Sequence, residues 1–123
     1  MIVDDDAEMR RLLRDTLALE GITVHEETSG ESLIEALERD APSLVVLDKE
    51  LPGPGGLDLL SYLSRRHPSL PVVLITAFGG PVARAEALQR GARVYLEKPF
   101  RVGALLDHVR RLLGGCAGPR TDP

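Results

Sequence analysis

The residues able to do chemistry in this chain fall into four short clusters: Asp4-Asp5-Asp6, Asp48, Thr76 and Lys98. If they meet, three or four carboxylates share a pocket with one hydroxyl and one ammonium. Unit charges ~5 Å apart repel by about 3 kcal/mol per pair at an effective dielectric of 20. Such a pocket must raise some carboxyl pKa values or recruit a cation. Hard oxygen donors with room for water suit Mg2+, which prefers one or two carboxylates plus a phosphoryl oxygen to a full protein cage. A lysine there neutralises charge and contacts a phosphoryl oxygen as a point cation. An aspartate facing the ion and a phosphodonor is then a nucleophile that forms an aspartyl phosphate.

Each residue also has an ordinary reading. An acidic run before a helix is often an N-cap with first-turn charge complementarity, and Asp6 fits that role. Asp48 ahead of Lys49-Glu50-Leu51-Pro52 suits a turn, and Thr76 suits strand packing. Lys98, like Lys49, Arg65, Arg66, Arg110 and Arg111, reads alone as a solvated charge. Tyr95 reads as a half-buried strand residue with a wet hydroxyl. The functional reading gains from convergence, since the clusters follow separate apolar runs.

Those runs are short and β-branched: Met1–Val3, Ile22–Val24, Leu44–Leu47, Val72–Thr76 and Val94–Leu96. Helical spacing separates them. Met9, Leu12, Leu13 and Leu17 predict one buried face, followed by Leu33, Ile34 and Leu37, then Leu59, Leu60 and Leu63. Ala85 and Leu88 predict a weaker fourth face, and Leu105, Leu106, Val109, Leu112 and Leu113 the fullest. Gly21 and Gly91 close the first and fourth helices, and Pro81 suits the first turn of the fourth. Unalternating apolar strands between helices predict a parallel sheet covered on both faces, with right-handed crossovers and a doubly wound topology. Chemistry in such a sheet sits at the carboxyl ends of the strands. Asp4–Asp6, Asp48, Thr76 and Lys98 all stand there, while strand two ends to one side near His25 and Glu26.

The 123 residues suit one domain that buries roughly two thirds of its unfolded surface without a staple. A single cysteine, Cys116, excludes an internal disulfide and a multi-cysteine zinc site. Fifteen basic against nineteen acidic side chains give net charge −4, a poor footprint for nucleic acid. Aromatics at 3% are too few for a base-stacking platform. No apolar run approaches the ~20 residues of a membrane span. The expectation is a cytoplasmic domain over residues 1–113, with 114–123 as a flexible tail or linker stub.

Five stretches, in this order, resemble the receiver domain family of two-component response regulators. They are Ile2-Val3-Asp4-Asp5-Asp6, Val45-Val46-Leu47-Asp48, Leu51-Pro52 with Gly56, Leu74-Ile75-Thr76-Ala77, and Tyr95-Leu96-Glu97-Lys98-Pro99-Phe100. The resemblance implies a flavodoxin-like (βα)5 three-layer α/β fold with a five-stranded parallel sheet in order 2-1-3-4-5. Two helices cover one face and three the other. It further implies Asp48 as phosphoacceptor and Mg2+ held by Asp4, Asp5, Asp48 and the backbone carbonyl of Glu50. Thr76 and Lys98 would grip the phosphoryl group, Tyr95 would swing inward with Thr76, and Lys98-Pro99 would be cis.

The implied partners are a sensor histidine kinase or phosphotransfer protein and an output domain or partner protein. The output domain or partner protein would read the face of the fourth helix, fifth strand and fifth helix, which is also the expected homodimer surface. No nucleic-acid or membrane contact is expected of this domain, nor conventional enzyme activity. Three departures stand out: Gly55 where the family often has Asp or Ser, a further carboxylate at Glu50, and Phe78 with no polar group to orient water. They predict slow hydrolysis of the phosphoryl group. Two rivals remain, a pseudo-receiver that binds partners regardless of phosphate and a small Mg2+ phosphohydrolase using Asp48.

Overall fold

Alternation along the central strands decides how the chain layers. Val45, Leu47, Val72 and Leu74 belong to one buried cluster, and Val46, Val73 and Ile75 to a second. Successive strand side chains point to opposite faces, so each apolar run serves two cores at once. The computed structural model describes residues 1–53 and 55–114. Strands β1 (Ile2–Val3), β2 (Glu26–Glu27), β3 (Val45–Asp48), β4 (Val72–Thr76) and β5 (Val94–Glu97) alternate with five helices. These are α1 (Ala7–Leu19), α2 (Gly30–Arg39), α3 (Gly56–Arg66), α4 (Pro81–Gln89) and α5 (Val102–Gly114). All pairings are parallel and the order is β2-β1-β3-β4-β5, as the resemblance implied.

Leu33, Leu37, Leu59, Leu60, Leu63 and Ala87 place α2, α3 and α4 on one face. Leu13, Leu17, Leu105 and Val109 place α1 and α5 on the other. Burying one such leucine contributes about 1.5–3 kcal/mol. The helix starts follow local chemistry. Asp6 caps α1 by accepting from the amides of Glu8 and Met9, and Ser29 caps α2 by accepting from Ser32. Pro81 opens α4 after Gly80, and Gly21 and Gly91 take positive φ just past α1 and α4.

Three sequence expectations need correction. The second strand is Glu26–Glu27, not Ile22–Val24, because Ile2 lies opposite Glu26 and β1 offers nothing opposite Val24. Ile22 and Val24 pack instead against the α1–α5 core. Leu12 is 47% exposed, off the face that Leu13 and Leu17 bury. In α4 the buried residue is Ala87, while Ala85 and Leu88 face outward. Only Ala87 of α4 is fully buried, with Ala83 packed partly buried against the same core, so spacing alone chose the wrong stripe. Beyond Gly114, the residues expected to form a tail lie outside the described residues, as does Pro54.

Gly56 fixes the approach of α3 to the end of β3. A Cβ there would come within 2.4 Å of Lys49 Cα and 2.5 Å of Asp48 O, both backbone atoms. Its amide donates to Lys49 O at 2.9 Å. Gly56→Ala should therefore destabilise the domain by about 1–3 kcal/mol or more. Gly103→Ala, where nothing lies within 4 Å, should be neutral or stabilise by about 0.5 kcal/mol. Denaturant titration of both variants checks this, and equal stabilities would contradict it.

Candidate functional site

Four strand ends deliver the polar residues to one place. Among the described residues the buried polar side chains are Asp4, Asp48 and Thr76, exposed by 0%, 3% and 0%. Each stands at the carboxyl end of β1, β3 or β4, and Lys98 follows β5. The sheet order makes these four ends neighbours.

The two buried carboxylates are held alike. Asp4 Oδ1 accepts from the amide of Asp6 at 2.9 Å, and Asp48 Oδ1 accepts from the amide of Glu50 at 3.0 Å. Each local loop thus fixes one oxygen and leaves the other for the cleft. There Lys98 Nζ sits 3.7 Å from Asp4 Oδ2 and 3.8 Å from Asp48 Oδ2. These are ion-pair distances, longer than hydrogen bonds. Asp4 Oδ2 is buried with no hydrogen-bond partner, an arrangement that costs about 1–3 kcal/mol for a neutral group and more for a charged one. Asp5 is exposed, yet it offers an oxygen such that Asp4, Asp5 and Asp48 ligand atoms all lie within 4.8 Å of one another. Hard donors, converging charge and an orphaned buried oxygen fit a divalent cation such as Mg2+.

Burial is the main reason that the Asp48 carboxyl is pushed up to about 7. The neighbouring Asp4 carboxylate adds to the rise, while the Glu50 amide and Lys98 oppose it.

Thr76 is engaged on both sides. Its hydroxyl donates to Glu50 Oε2 at 2.5 Å and its oxygen accepts from the Phe78 amide at 2.9 Å. The Ala77 amide donates to the other oxygen of Glu50, Oε1, at 2.8 Å. Lys49 Nζ donates to Phe78 O at 3.1 Å, so this lysine is engaged with the β4–α4 loop. Phe78 itself is 72% exposed. Tyr95 is already buried, with Arg84 5.9 Å from its ring centroid. Its hydroxyl donates to Glu97 Oε2 at 3.2 Å. Burial and the Glu97 charge both push this phenol above its ordinary value. The same Glu97 oxygen accepts from the Gly80 amide at 2.6 Å. The Lys98–Pro99 peptide is cis, as the resemblance implied.

Sequence reasoning placed a further carboxylate near the phosphoryl group at Glu50 but not its bonds to Thr76 and Ala77, and it missed the side-chain roles of Lys49 and Glu97. All three adjoin site residues, which was the available signal, but only the fold shows that they converge on residues 76–80. Arg10 was also missed: its Nη1 donates to Asp4 O at 2.7 Å and its Nε to Glu26 Oε1 at 3.3 Å. That bond steadies the loop carrying the acidic pair.

A raised Asp48 pKa means that the folded protein holds a proton which the unfolded chain has released. This contribution to stability is present below about 4, the ordinary carboxyl range, and is lost as pH rises through about 7. Metal-free wild type should therefore lose stability relative to Asp48→Asn between pH 5 and pH 8. Denaturant titrations across that range check it; a constant difference would contradict it.

Comparison with known proteins places this geometry. Residues 1–110 match the response regulator receiver domain family. The response regulator protein FleR of Pseudomonas aeruginosa is 42% identical over 123 residues, covering 99% of this chain and 26% of FleR. The DNA-binding transcriptional regulator NtrC of Escherichia coli is 38% identical over 112 residues, covering 91% of this chain and 24% of NtrC. The chain thus spans about a quarter of the length of these relatives. The crystal structure of the receiver domain of NtrX from Brucella abortus superimposes with a TM-score of 0.85 at 36% identity, covering 91% of this chain and 95% of that one. On sequence and on fold, this chain belongs to the receiver domain family of response regulators.

Proposed function

We propose that Asp48 is the phosphoacceptor of a two-component switch, loaded from the phosphohistidine of a sensor kinase or phosphotransfer protein. The observation that carries this is the buried pairing of Asp48 with Asp4 around Lys98, beside an orphaned carboxylate oxygen. A carboxylate oxygen of Asp48 forms the O–P bond as the donor's P–N bond breaks, and the imidazole leaves with the electron pair. Lys98 offsets charge on the transferred group, and the Thr76 hydroxyl donates to one of its oxygens. Asp4, Asp5, Asp48 and the Glu50 backbone carbonyl would hold Mg2+. That ion supplies charge neutralisation and alignment of donor and acceptor when bound.

The domain is proposed to span residues 1–113 and to act in the cytoplasm as a signalling unit. It serves as its own phosphorylation catalyst without being a conventional enzyme. Among the described residues no helix is long and apolar enough to cross a membrane. The readout surface is α4, β5 and α5, where Val82 and Leu88 are 81% and 41% exposed. An output domain or partner protein, or a second copy of the chain, would dock there, with no direct nucleic-acid contact by this domain. Thr76 and Tyr95 couple that surface to the site through the β4–α4 loop and Glu97.

Incubation with Mg2+ and a small acyl-phosphate donor, read by intact mass, tests the reading. Wild type should gain one acid-stable, base-labile phosphoryl adduct and Asp48→Asn none. After donor removal the adduct should persist for minutes or longer, because Phe78 offers no polar group to orient water. No adduct on wild type would favour a phosphate-independent binding module, and rapid turnover of many phosphoesters would favour a phosphohydrolase. Adduct loss within seconds would contradict the slow-hydrolysis part.

A further inference from the structure

The Thr76 hydroxyl and the Ala77 amide are two donors at the end of β4 that converge on one carboxylate. Glu50 Oε2 takes the first at 2.5 Å and Glu50 Oε1 the second at 2.8 Å. A hydroxyl has one hydrogen to donate, and so does a backbone amide. Neither can serve Glu50 and a phosphoryl oxygen together. Glu50 stands two residues after Asp48, and its own amide donates to Asp48 Oδ1 at 3.0 Å, so this side chain is anchored beside the acceptor. Lys49 Nζ lies 3.8 Å from Glu50 Oε2 and donates to Phe78 O at 3.1 Å, bracing the carboxylate and the loop together.

We propose that Glu50 is a resident anion in the oxyanion cradle, an internal competitor that the incoming phosphoryl group must displace. This rests on the reading of Asp48 and Thr76 given above. The carboxylate satisfies the cradle donors in the unphosphorylated protein and fixes the position of residues 76–78. Loading then exchanges one anion for another at Thr76 and Ala77. Glu50 is a positioning residue: it sets how readily the cradle accepts a phosphoryl group and takes no part in bond making. Its negative charge also opposes approach of an anionic donor, so removing it lowers two barriers at once.

The test compares wild type with Glu50→Ala, Glu50→Gln and Glu50→Asp, using Mg2+ and a small acyl-phosphate donor. Charge-assisted hydrogen bonds are worth about 1.5–3 kcal/mol, so Glu50→Ala should load about tenfold faster or more. Glu50→Gln keeps the size of the side chain and can accept from only one of the two donors, so it should also load faster, by less. A merely structural role would be rescued by glutamine. Glu50→Asp, too short to reach both donors, should fall between wild type and alanine.

A second readout needs neither metal nor donor. The Ala77 amide proton, hydrogen-bonded to a carboxylate, should resonate downfield in metal-free wild type and move upfield in Glu50→Ala. Loading of Glu50→Ala within twofold of wild type would overturn the proposal, and so would an unmoved Ala77 resonance. An absence of adduct in every variant would instead remove Asp48 as acceptor. The Ala77 resonance would then decide by itself whether Glu50 holds the cradle.

Discussion

Two buried carboxylates facing a single ammonium set the terms for the rest of this molecule. Asp4 and Asp48 end adjacent strands, and Lys98 Nζ stands within 3.8 Å of an oxygen of each. One positive charge cannot balance two negative ones, and burial makes the imbalance more expensive than it would be in water. Burial and that imbalance push the Asp48 carboxyl up to about 7, and a cation between the carboxylates would relieve it. Holding these carboxylates together costs stability. The surrounding sheet supplies that stability with apolar strands buried on both faces.

The same logic extends along the β4–α4 loop. Three of its backbone groups are taken by side chains that follow β3 or end β5: Ala77 N by Glu50, Phe78 O by Lys49, and Gly80 N by Glu97, while the Phe78 amide turns back to Thr76. Glu97 also holds the Tyr95 hydroxyl, so one carboxylate joins the start of α4 to the aromatic ring beneath it. A Cβ at Gly79 would fall 2.0 Å from Glu97 Oε2, so glycine is what lets the loop pass this close. Bonds from the Glu50 amide to Asp48 and from Thr76 and Ala77 to the Glu50 carboxylate give one short path from the acidic cleft to the loop before α4. A loop tied by a few polar contacts can take two arrangements, whereas the packed sheet cannot.

Much of this was legible before any coordinates. Strand runs such as Val45–Leu47 and Val72–Thr76 are unmistakable because both faces are buried, and the acidic and basic residues that follow them mark the sheet edge. Where burial is one-sided or small the sequence misleads. Ile22 and Val24 look like a strand, yet β1 is too short to pair with them, and the ladder forms at two glutamates instead. In α4, Ala87 is buried while the larger Leu88 is exposed, so size and spacing point the wrong way. The bonding partners of the Lys49, Glu50 and Glu97 side chains were hidden for a different reason. A charged residue beside a site looks the same in sequence whether it is solvated or tied to backbone 17 to 29 residues away.

We propose that Asp4, Asp5 and Asp48 form one cation-holding cleft under Lys98. Anomalous diffraction from crystals soaked in Mn2+, a scattering substitute for Mg2+, tests it most directly. One strong peak is expected within coordination distance of those three carboxylates, absent or sharply weakened in Asp5→Ala crystals treated alike. A cleft without a peak at saturating Mn2+, or a peak bound elsewhere with Asp48 turned away, would contradict it.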